Sequence, residues 1–328
     1  MSASEKSTIL VTGAAGFIGS HLIQKLLQMD FTVRGIDSFV NGNTMNIDRV
    51  RNHPNFKFVE GDLLDENCTH EALRETDTVF HLAVTRPAYD RGLSEAIEGY
   101  KNDVLATFNL LKSMSQPDSR VKKIVYASSV LIYGDQATIP TPENYGPLCP
   151  ASPYGASKLA SEAFISTFCH TFDLSAAICR LSNIEGSRKP YGVVYDFVNR
   201  LREDRTKLEM KGDPTNKRSY LHVSDCVEAL LFCMKHLNTK VEPWNIGPGD
   251  SISTERLAKI VINEMGLGDV PIIVKDATHE ERIKGRLNES RPSIEKIKSH
   301  GWSPRHGSEQ AVRLAASERI SELSGSAE

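Results

Sequence analysis

The sequence predicts an α/β fold, a doubly wound parallel sheet with a smaller, discontinuous C-terminal lobe. Short β-rich runs alternate with helical apolar patterns over residues 8–127, and a glycine-rich turn separates the first strand from the first helix. The 328 residues, 40% hydrophobic and 25% charged, suffice for a large core. Strands that alternate with helices pair in parallel, with right-handed connections and helices on both faces of the sheet.

The elements are expected in a regular order. A strand over 8–12 precedes a helix over 17–29, whose apolar residues recur three or four apart. β-rich runs predict the later strands, at 31–36, 56–59, 78–83, 121–127, 175–181 and 244–246. Helical periodicity predicts the later helices, at 93–114, 154–171 and 223–236.

Two lobes follow from this order. The regular alternation predicts one lobe over 7–182, completed by about 223–249. The pattern loosens at 183–222 and 250–320, where we expect the smaller lobe, which would bind the substrate.

Composition excludes several classes of function. The 39 Lys and Arg against 42 Asp and Glu give a net charge of −3 without a long basic run, so nucleic-acid binding is not expected. Six scattered cysteines without a C-x-x-C pair predict reduced thiols in the cytoplasm and no metal site. Residues 1–7 resemble neither a signal peptide nor an anchor, and no apolar run approaches the roughly 18 residues of a membrane helix.

A glycine-rich turn, Gly13-Ala-Ala-Gly16-Phe-Ile-Gly19, lies where the first strand ends and the first helix begins. Glycines permit a tight turn and a close approach of backbone N–H groups to phosphate, and a helix N-terminus favours negative charge. The first lobe is therefore expected to be a Rossmann-type dinucleotide-binding domain. Its predicted cofactor-binding residues in the turn are Gly13, Gly16, Phe17, Ile18 and Gly19.

Acidic residues follow the next two strands. Asp37 lies 24 residues after Gly13, where a carboxylate accepts hydrogen bonds from a ribose 2′-hydroxyl and repels a 2′-phosphate. This residue favours NAD over NADP. Asp62 and Leu63 follow the third strand, where the adenine would lie, and Asp62 is expected to accept from the exocyclic amine.

The segment Tyr154-Gly-Ala-Ser-Lys158 begins a helix, and its spacing of four places a phenol and an ammonium on one face. The ammonium stabilises the phenolate and lowers the pKa of the phenol, which makes it a useful base near neutral pH. Ser128 and Ser129 end the fifth strand, at the carboxyl edge where such folds bind ligands. A hydroxyl there can hydrogen-bond the reacting oxygen, so these four residues are the predicted catalytic group.

Three motifs together resemble those of one family. They are T-G-A-A-G-F-I-G at 12–19, S-S-V-L-I-Y-G at 128–134 and Y-G-A-S-K at 154–158. In this order and spacing the chain resembles the extended short-chain dehydrogenase/reductase superfamily. The branch it resembles most is that of the NAD-dependent nucleotide-sugar epimerases and dehydratases, of the UDP-galactose 4-epimerase type.

The resemblance implies a role for each catalytic residue. Tyr154 would take the proton of the sugar 4-hydroxyl, and Ser129 would hydrogen-bond that oxygen with Ser128 beside it. Lys158 would hold the nicotinamide ribose and tune Tyr154. The hydrogen at C4 would leave as hydride to NAD, and the 4-keto sugar would be common to epimerisation and dehydration.

The resemblance also implies further contacts to the cofactor. Leu82, Ala83 and Arg86 resemble the loop that passes the cofactor. Asn102 stands at the start of the family's N-N-x-x-G-T motif, in which Asp103 and Ala106 replace the second Asn and the Gly.

Substrate contacts are implied in the same way. Asn183 and Arg218 resemble residues that bind the sugar diphosphate, and a guanidinium matches phosphate oxygens bidentately. Thr85 is a further candidate. A second arginine would come from Arg282, with Arg286 and Arg291 as alternatives.

The residues after Ser129 favour one outcome of the reaction. Well-known 4,6-dehydratases of the family carry an acidic residue there, whereas this chain has Val130 and Leu131. The expected reaction is therefore 4-epimerisation of a UDP-hexose or UDP-N-acetylhexosamine.

Three departures from the epimerase pattern keep a second reaction open, the 5,6-dehydration of UDP-N-acetylglucosamine known from tunicamycin-type antibiotic pathways. Glu185, Cys149 and Tyr89 could each act as acid or base in eliminating the 6-hydroxyl. A non-catalytic NAD-binding sensor is another alternative, which the presence of both Tyr154 and Lys158 disfavours.

Helices at 93–114 and 154–171 resemble the pair that forms a four-helix dimer interface in this family. A homodimer is therefore expected.

Overall fold

The structure, a computed structural model, describes residues 7–84, 93–275 and 289–325. Its main feature is a seven-stranded sheet with the strand order β11-β6-β5-β4-β1-β2-β3. Parallel pairs join β1 to β2 and β4, β2 to β3, and β4 to β5. The predicted α/β fold class is confirmed. The seven strands are β1 Thr8–Thr12, β2 Thr32–Asp37, β3 Phe56–Glu60, β4 Thr78–His81, β5 Lys123–Ser129, β6 Ser175–Leu181 and β11 Val241–Ile246.

Helices accompany this sheet along the chain. They are α1 Phe17–Gln28, α2 Thr44–Asp48, α3 Glu66–Leu73, α4 Leu93–Gly99, α5 Ala106–Met114, α6 Pro153–Thr171 and α8 Val223–Lys235. Each amphipathic helix buries one face, as in α1, where Leu22, Ile23 and Leu26 are fully buried. A short 3₁₀ turn, Val130–Tyr133, follows β5 directly.

The chain divides into two compact units. Unit 1 comprises residues 1–132, 150–180 and 230–244, and unit 2 comprises 133–149, 181–229 and 245–328. The core of unit 1 joins apolar residues of the sheet to those of α5 and α6, among them Leu10, Val79, Leu110, Ile124 and Ile165. The assignment of cofactor and substrate to separate lobes stays a prediction.

Unit 2 has its own core and smaller sheets. Its helices α7 Val193–Glu203, α9 Thr254–Glu264 and α11 Ser308–Gly325 pack through buried residues such as Phe197, Leu257 and Val312. Strands β7 Asn183–Glu185 and β10 Tyr220–His222 pair in parallel. The remaining elements are β8 Leu208–Lys211, β9 Lys217–Arg218, β12 Ile252–Ser253, β13 Ile272–Lys275, β14 Glu289–Ser290 and α10 Glu295–Ser299.

Two helices differ from the prediction. The helix expected over 93–114 contains a π-helical turn, Tyr100–Leu105, between α4 and α5. Such wide turns occur as short interruptions of α-helices, frequently at functional sites, and the sequence pattern predicted one continuous helix instead. The second difference is α11, which continues to Gly325 although only short elements were expected in this part of the chain.

Within the described parts of the chain, we find no helix that is both long and apolar enough to span a bilayer.

Candidate active site

The glycine-rich turn joins β1 to α1 in a tightly packed backbone arrangement. Gly13 has a φ of +67°, and a Cβ on Gly19 would lie 2.1 Å from the carbonyl oxygen of Gly13. No side chain could occupy that space, because the obstructing atom belongs to the backbone. Gly16 precedes the helix without a side-chain cap, and the first turn of α1 contains no acidic residue. The N–H groups of this turn therefore suit an anionic group.

Asp37 closes the turn from the end of β2. Its carboxylate accepts hydrogen bonds from the backbone N–H groups of Ala15 (2.9 Å) and Phe39 (2.8 Å). Burial raises the pKa of the Asp37 carboxyl, and these two N–H donors oppose that rise. Each carboxylate oxygen can accept more than one hydrogen bond, so Asp37 can also accept from a ribose hydroxyl.

Asp62 and Leu63 follow β3, as predicted. Asp62 is exposed, and its carboxylate accepts from the N–H of Leu64 at 2.9 Å. Leu63 is buried, and its carbonyl accepts from the side chains of Thr69 and Asn109. The residues thus form an ordered turn after β3, and their contact with an adenine stays a prediction.

Thr12 positions the loop after β4. Its hydroxyl oxygen lies 3.1 Å from the N atoms of both Leu82 and Ala83. A Cβ on Gly13 would lie 2.8 Å from the N atom of Ala83, so this loop and the glycine turn are in direct contact. Thr12 was not predicted as a site residue, because its contact partners lie 70 positions away in sequence.

The start of α6, which carries Tyr154, packs closely on the turn that follows Ser129 at the end of β5. Ser129 is buried, and its hydroxyl oxygen accepts from the N–H of Leu131. A Cβ on Gly155 would lie 2.7 Å from the carbonyl oxygen of Leu131, so only glycine permits this approach. The Ser152 side chain caps α6 by accepting from the N–H of Gly155, and this fixes where the helix begins.

Lys158 is fully buried one helical turn after Tyr154. Its Nζ donates to the carbonyl oxygen of Ala127 (2.8 Å) and lies 5.8 Å from the centre of the Tyr154 ring and 4.8 Å from that of Tyr126. Burial lowers the pKa of Lys158 to about 8, and the Asp103 and Glu162 carboxylates oppose this. The structure therefore places the predicted ammonium beside the predicted phenol, and its catalytic role stays a prediction.

Ser128 makes a different contact from Ser129. Its hydroxyl donates to Glu162 of α6, and Glu162 also forms a buried ion pair with Arg180 of β6 at 2.9 Å. Successive strand residues point to opposite faces of a sheet, so Ser128 faces this pair while Ser129 is turned away from it. The hydrogen bond to Glu162 gives the Ser128 hydroxyl a structural role in this buried cluster. Glu162 and Arg180 were not predicted as site residues.

The π-helical turn contributes a second buried carboxylate. Asp103 is buried and accepts a hydrogen bond from the Ser157 hydroxyl at 2.8 Å. Its neighbour Asn102, a predicted cofactor contact, lies half-buried in the same turn. His81, at the end of β4, is hydrogen-bonded with Thr12 (2.7 Å) and Thr107 (2.9 Å). A continuous polar layer therefore extends beside Lys158.

The predicted substrate residues of unit 2 lie close to one another. The side-chain amide of Asn183 donates to the carbonyl oxygen of Ser219 at 3.1 Å, and Arg218 precedes Ser219 in the chain. Arg218 is half-buried, and its guanidinium donates to the carbonyl oxygen of Lys217. Arg291 follows β14, which pairs with β9 beside Arg218.

Glu185 and Cys149 have distinct surroundings in unit 2. Glu185 is buried, and its carboxylate pairs with Lys189 at 2.7 Å. Burial raises the pKa of Glu185, and Lys189 opposes the rise. Cys149 is an exposed free thiol. Thr85, Arg86, Tyr89, Arg282 and Arg286 lie outside the described residues.

The donor set of unit 1 fits a dinucleotide cofactor. The uncapped helix start suits a pyrophosphate, Asp37 suits a ribose, and Lys158, one helical turn after Tyr154, contacts β5 near its carboxyl end through the Ala127 carbonyl. No group of three His, Cys, Asp or Glu side chains suited to a metal ion is found among residues 7–84, 93–275 and 289–325.

Comparison with known proteins agrees with this fit. A profile of the NAD dependent epimerase/dehydratase family matches residues 9–247. The chain is 32% identical over 310 residues to a putative UDP-glucose 4-epimerase of Methanocaldococcus jannaschii, covering 90% of this chain and 93% of that protein. It is 28% identical over 324 residues to a dTDP-D-glucose 4,6-dehydratase of Mus musculus, covering 93% and 86%.

Solved structures give the same result for the fold. The chain superimposes on the Thermus thermophilus UDP-glucose 4-epimerase in complex with NAD with a TM-score of 0.82 and 28% identity. The match covers 95% of this chain and 99% of that one.

Proposed function

Because the chain belongs to the NAD-dependent epimerase/dehydratase family of nucleotide-sugar enzymes, we propose that it is a 4-epimerase of a UDP-hexose or UDP-N-acetylhexosamine. The observation that carries the proposal is the Tyr154–Lys158 pair on α6, with Ser129 at the adjoining end of β5. When bound, NAD supplies a hydride acceptor at C4 of the sugar.

The residues of unit 1 then handle the proton. Tyr154 takes the proton of the 4-hydroxyl, and the ammonium of Lys158 stabilises the phenolate that assists this transfer. Ser129 hydrogen-bonds the same oxygen and holds it in line with Tyr154. In unit 2, Asn183 and Arg218 bind the diphosphate, which a guanidinium matches bidentately.

The choice of epimerisation over elimination rests on the residues after Ser129. Val130 is buried and Leu131 has an apolar side chain, so neither can donate or accept a proton as the acidic residue of a 4,6-dehydratase does. Glu185 is buried against Lys189, an ion pair that accounts for its charge without a catalytic role.

A second candidate is the 5,6-dehydration of UDP-N-acetylglucosamine. Its supporting observation is the buried position of Glu185, where burial raises the pKa of the carboxyl and Lys189 opposes that rise, since perturbed carboxyls of this kind often act as acids or bases at active sites. Cys149 and Tyr89 stay alternative candidates for that role.

One incubation separates the two reactions. With UDP-glucose, UDP-galactose and UDP-N-acetylglucosamine as substrates, an unchanged mass with a new anomeric NMR signal indicates epimerisation. Loss of one water from UDP-N-acetylglucosamine indicates dehydration and would overturn the 4-epimerase proposal.

Replacing Tyr154 with Phe tests the catalytic assignment. We expect kcat to fall by about 10²–10⁴-fold or more, because the base is lost, while NAD stays bound. Tyr100→Phe is the matched control, since it removes a phenol hydroxyl from a side chain that is 61% exposed. Full activity of Tyr154→Phe would contradict the proposal.

We also propose a homodimer through the helices α4 and α6. Both helices belong to unit 1 and expose large apolar side chains. Leu93 and Ile97 lie on α4, Tyr100 lies in the adjoining π-helical turn, and Phe164 lies on α6. Contiguous exposed apolar residues of this kind mark association surfaces. A second copy of the same surface would cover them by two-fold symmetry.

A further inference from the structure

We propose that Glu162 is a positioning residue, which fixes the register of α6, meaning its position along the carboxyl end of β5, and thereby the position of Tyr154. It does so through a hydrogen bond with Ser128 and an ion pair with Arg180. The inference rests on the proposed function, in which Tyr154 takes the proton of the sugar 4-hydroxyl. Glu162 takes part in no step of that reaction and acts only through the helix that carries the base.

Three elements of unit 1 meet at the Glu162 side chain. Glu162 lies on α6, Ser128 on β5 and Arg180 on β6, the strand next to β5 in the sheet. One carboxylate oxygen accepts from the Ser128 hydroxyl and from Nε of Arg180 (3.2 Å), and the other accepts from Nη2 of Arg180 (2.9 Å). Both side chains of the ion pair are 7% exposed. Directional bonds from two neighbouring strands therefore converge on one point of the helix.

Two other contacts of α6 with residues 127–131 permit more movement. The Lys158 ammonium donates to the carbonyl oxygen of Ala127 at 2.8 Å, but a flexible four-carbon chain carries it. Gly155 lies against the carbonyl oxygen of Leu131, where a Cβ would be 2.7 Å away. That contact limits how closely the helix approaches the turn and does not set its position along the strand. The bidentate pair at Glu162, with its rigid planar guanidinium, is the most restrictive of these three contacts.

Stability alone does not account for a buried ion pair. Burying two charges costs free energy, and well-packed apolar residues in their place often give equal or greater stability. Apolar packing lacks direction, however, because it holds over a range of relative positions. Catalysis depends on direction, since a misplacement of about 1 Å can lower the rate about 100-fold. Tyr154 lies about two helical turns before Glu162 on α6, so the helix transmits its register to the base.

The test replaces the ion pair with apolar side chains of similar size, in the double variant Glu162→Met/Arg180→Met. We expect this protein to unfold at the wild-type temperature or above it. With NAD loaded, its kcat for the UDP-sugar should be about 10–100-fold below that of the wild type. KM for the UDP-sugar should be unchanged, because the residues proposed to bind the diphosphate belong to unit 2. A merely structural role would instead lower the unfolding temperature and leave kcat unchanged.

Arg256→Met/Glu309→Met is the matched control. It makes the same change in a bidentate pair, with contacts of 2.7 and 2.8 Å, that joins α9 to α11 in unit 2, and it should leave kcat unchanged. Wild-type kcat in a stably folded Glu162→Met/Arg180→Met would overturn the proposal. If that variant does not fold, Arg180→Lys keeps the charge and loses the bidentate geometry. Its kcat should fall with KM unchanged, and wild-type kcat would again overturn the proposal.

Crystal structures of the NAD-loaded wild type and double variant measure the register without turnover. We expect the Cα atom of Tyr154 to move by about 0.5–1 Å relative to that of Ser129. If the wild type converts no UDP-sugar, the proposed function fails, and the two structures still decide the role of Glu162, since coincident positions would overturn it. If the wild type is active and the variant shows neither the displacement nor the loss of kcat, the inference about Glu162 fails alone.

Discussion

His81 shows how much a single buried polar residue depends on its partners. Both of its ring nitrogens are hydrogen-bonded, with Thr12 and Thr107, and its ring stacks on Tyr126 at 5.5 Å. Burial lowers the pKa of His81 to about 3, with a smaller effect from Lys158. The folded state therefore holds the neutral ring throughout the physiological range.

This property predicts a specific acid sensitivity. Between its ordinary pKa of 6.5 and about 3, the unfolded chain binds a proton that the folded chain does not, so stability falls as the pH falls. When the pH is lowered from about 7 to about 4.5, the free energy of unfolding of the wild type should fall by about 2.5 kcal/mol more than that of His81→Gln. Urea unfolding at the two pH values measures this, and equal losses in both proteins would show that His81 is protonated in the folded state.

Residue spacing predicted part of the site and not the rest. Tyr154 and Lys158 lie on one helix, so a spacing of four was enough to pair them. Asp103, His81, Glu162 and Arg180 lie on separate elements, and only the packing of those elements joins them. Read one at a time, each resembles an ordinary polar residue.

Among the secondary-structure elements, the start of α1 places the strictest steric requirement on its residues. The carbonyl oxygen of Gly13 lies where a Cβ on Gly19 would be, and backbone atoms cannot move aside cheaply. This contact joins the turn, the helix and the strand before them. The sequence motif predicted the turn correctly because close backbone contacts require glycine at these positions.

Gly19→Ala should therefore destabilise the protein and weaken NAD binding. We expect a loss of about 1–3 kcal/mol, typical of overpacking, and at least tenfold weaker binding of NAD. The control is Gly99→Ala in α4, where the added Cβ would lie 3.6 Å from Ser157 and the backbone is helical. That variant should be neutral or up to about 1 kcal/mol more stable. Thermal unfolding and NAD titration measure both, and wild-type affinity in Gly19→Ala would refute the packing argument.

The strands and helices that the sequence predicted have boundaries within a few residues of those in the structure, whereas the irregular elements and the helices α2, α3, α7 and α9 were not predicted. Several strands of the main sheet contain uninterrupted buried runs, such as residues 124–129 of β5, and these give a clear β pattern. The π-helical turn and the small sheets of unit 2, with strands of two to four residues, leave no periodic signal.

At the scale of the whole molecule, the exposed apolar surface of α4 and α6 predicts the state of association. Ile97 is 47% exposed on that surface, and a buried charge there would oppose pairing. We expect the wild type to be a dimer and Ile97→Glu a monomer by light scattering coupled to gel filtration. Val274→Glu, which places the same charge at a residue 48% exposed on β13, should stay dimeric. A monomeric wild type would contradict the proposal.

The structural role of Asp37 limits how the cofactor specificity can be redesigned. Its carboxylate is an integral part of the turn, since it accepts from Ala15 and Phe39. A Cβ at residue 42 would lie 2.7 Å from one of its oxygens, so glycine is required there while Asp37 is present. A variant that accepts a phosphorylated ribose therefore needs another hydrogen-bond acceptor for the N–H groups of Ala15 and Phe39. Substituting Asp37 alone would loosen the backbone of the phosphate-binding turn as well as change the choice between the two cofactors.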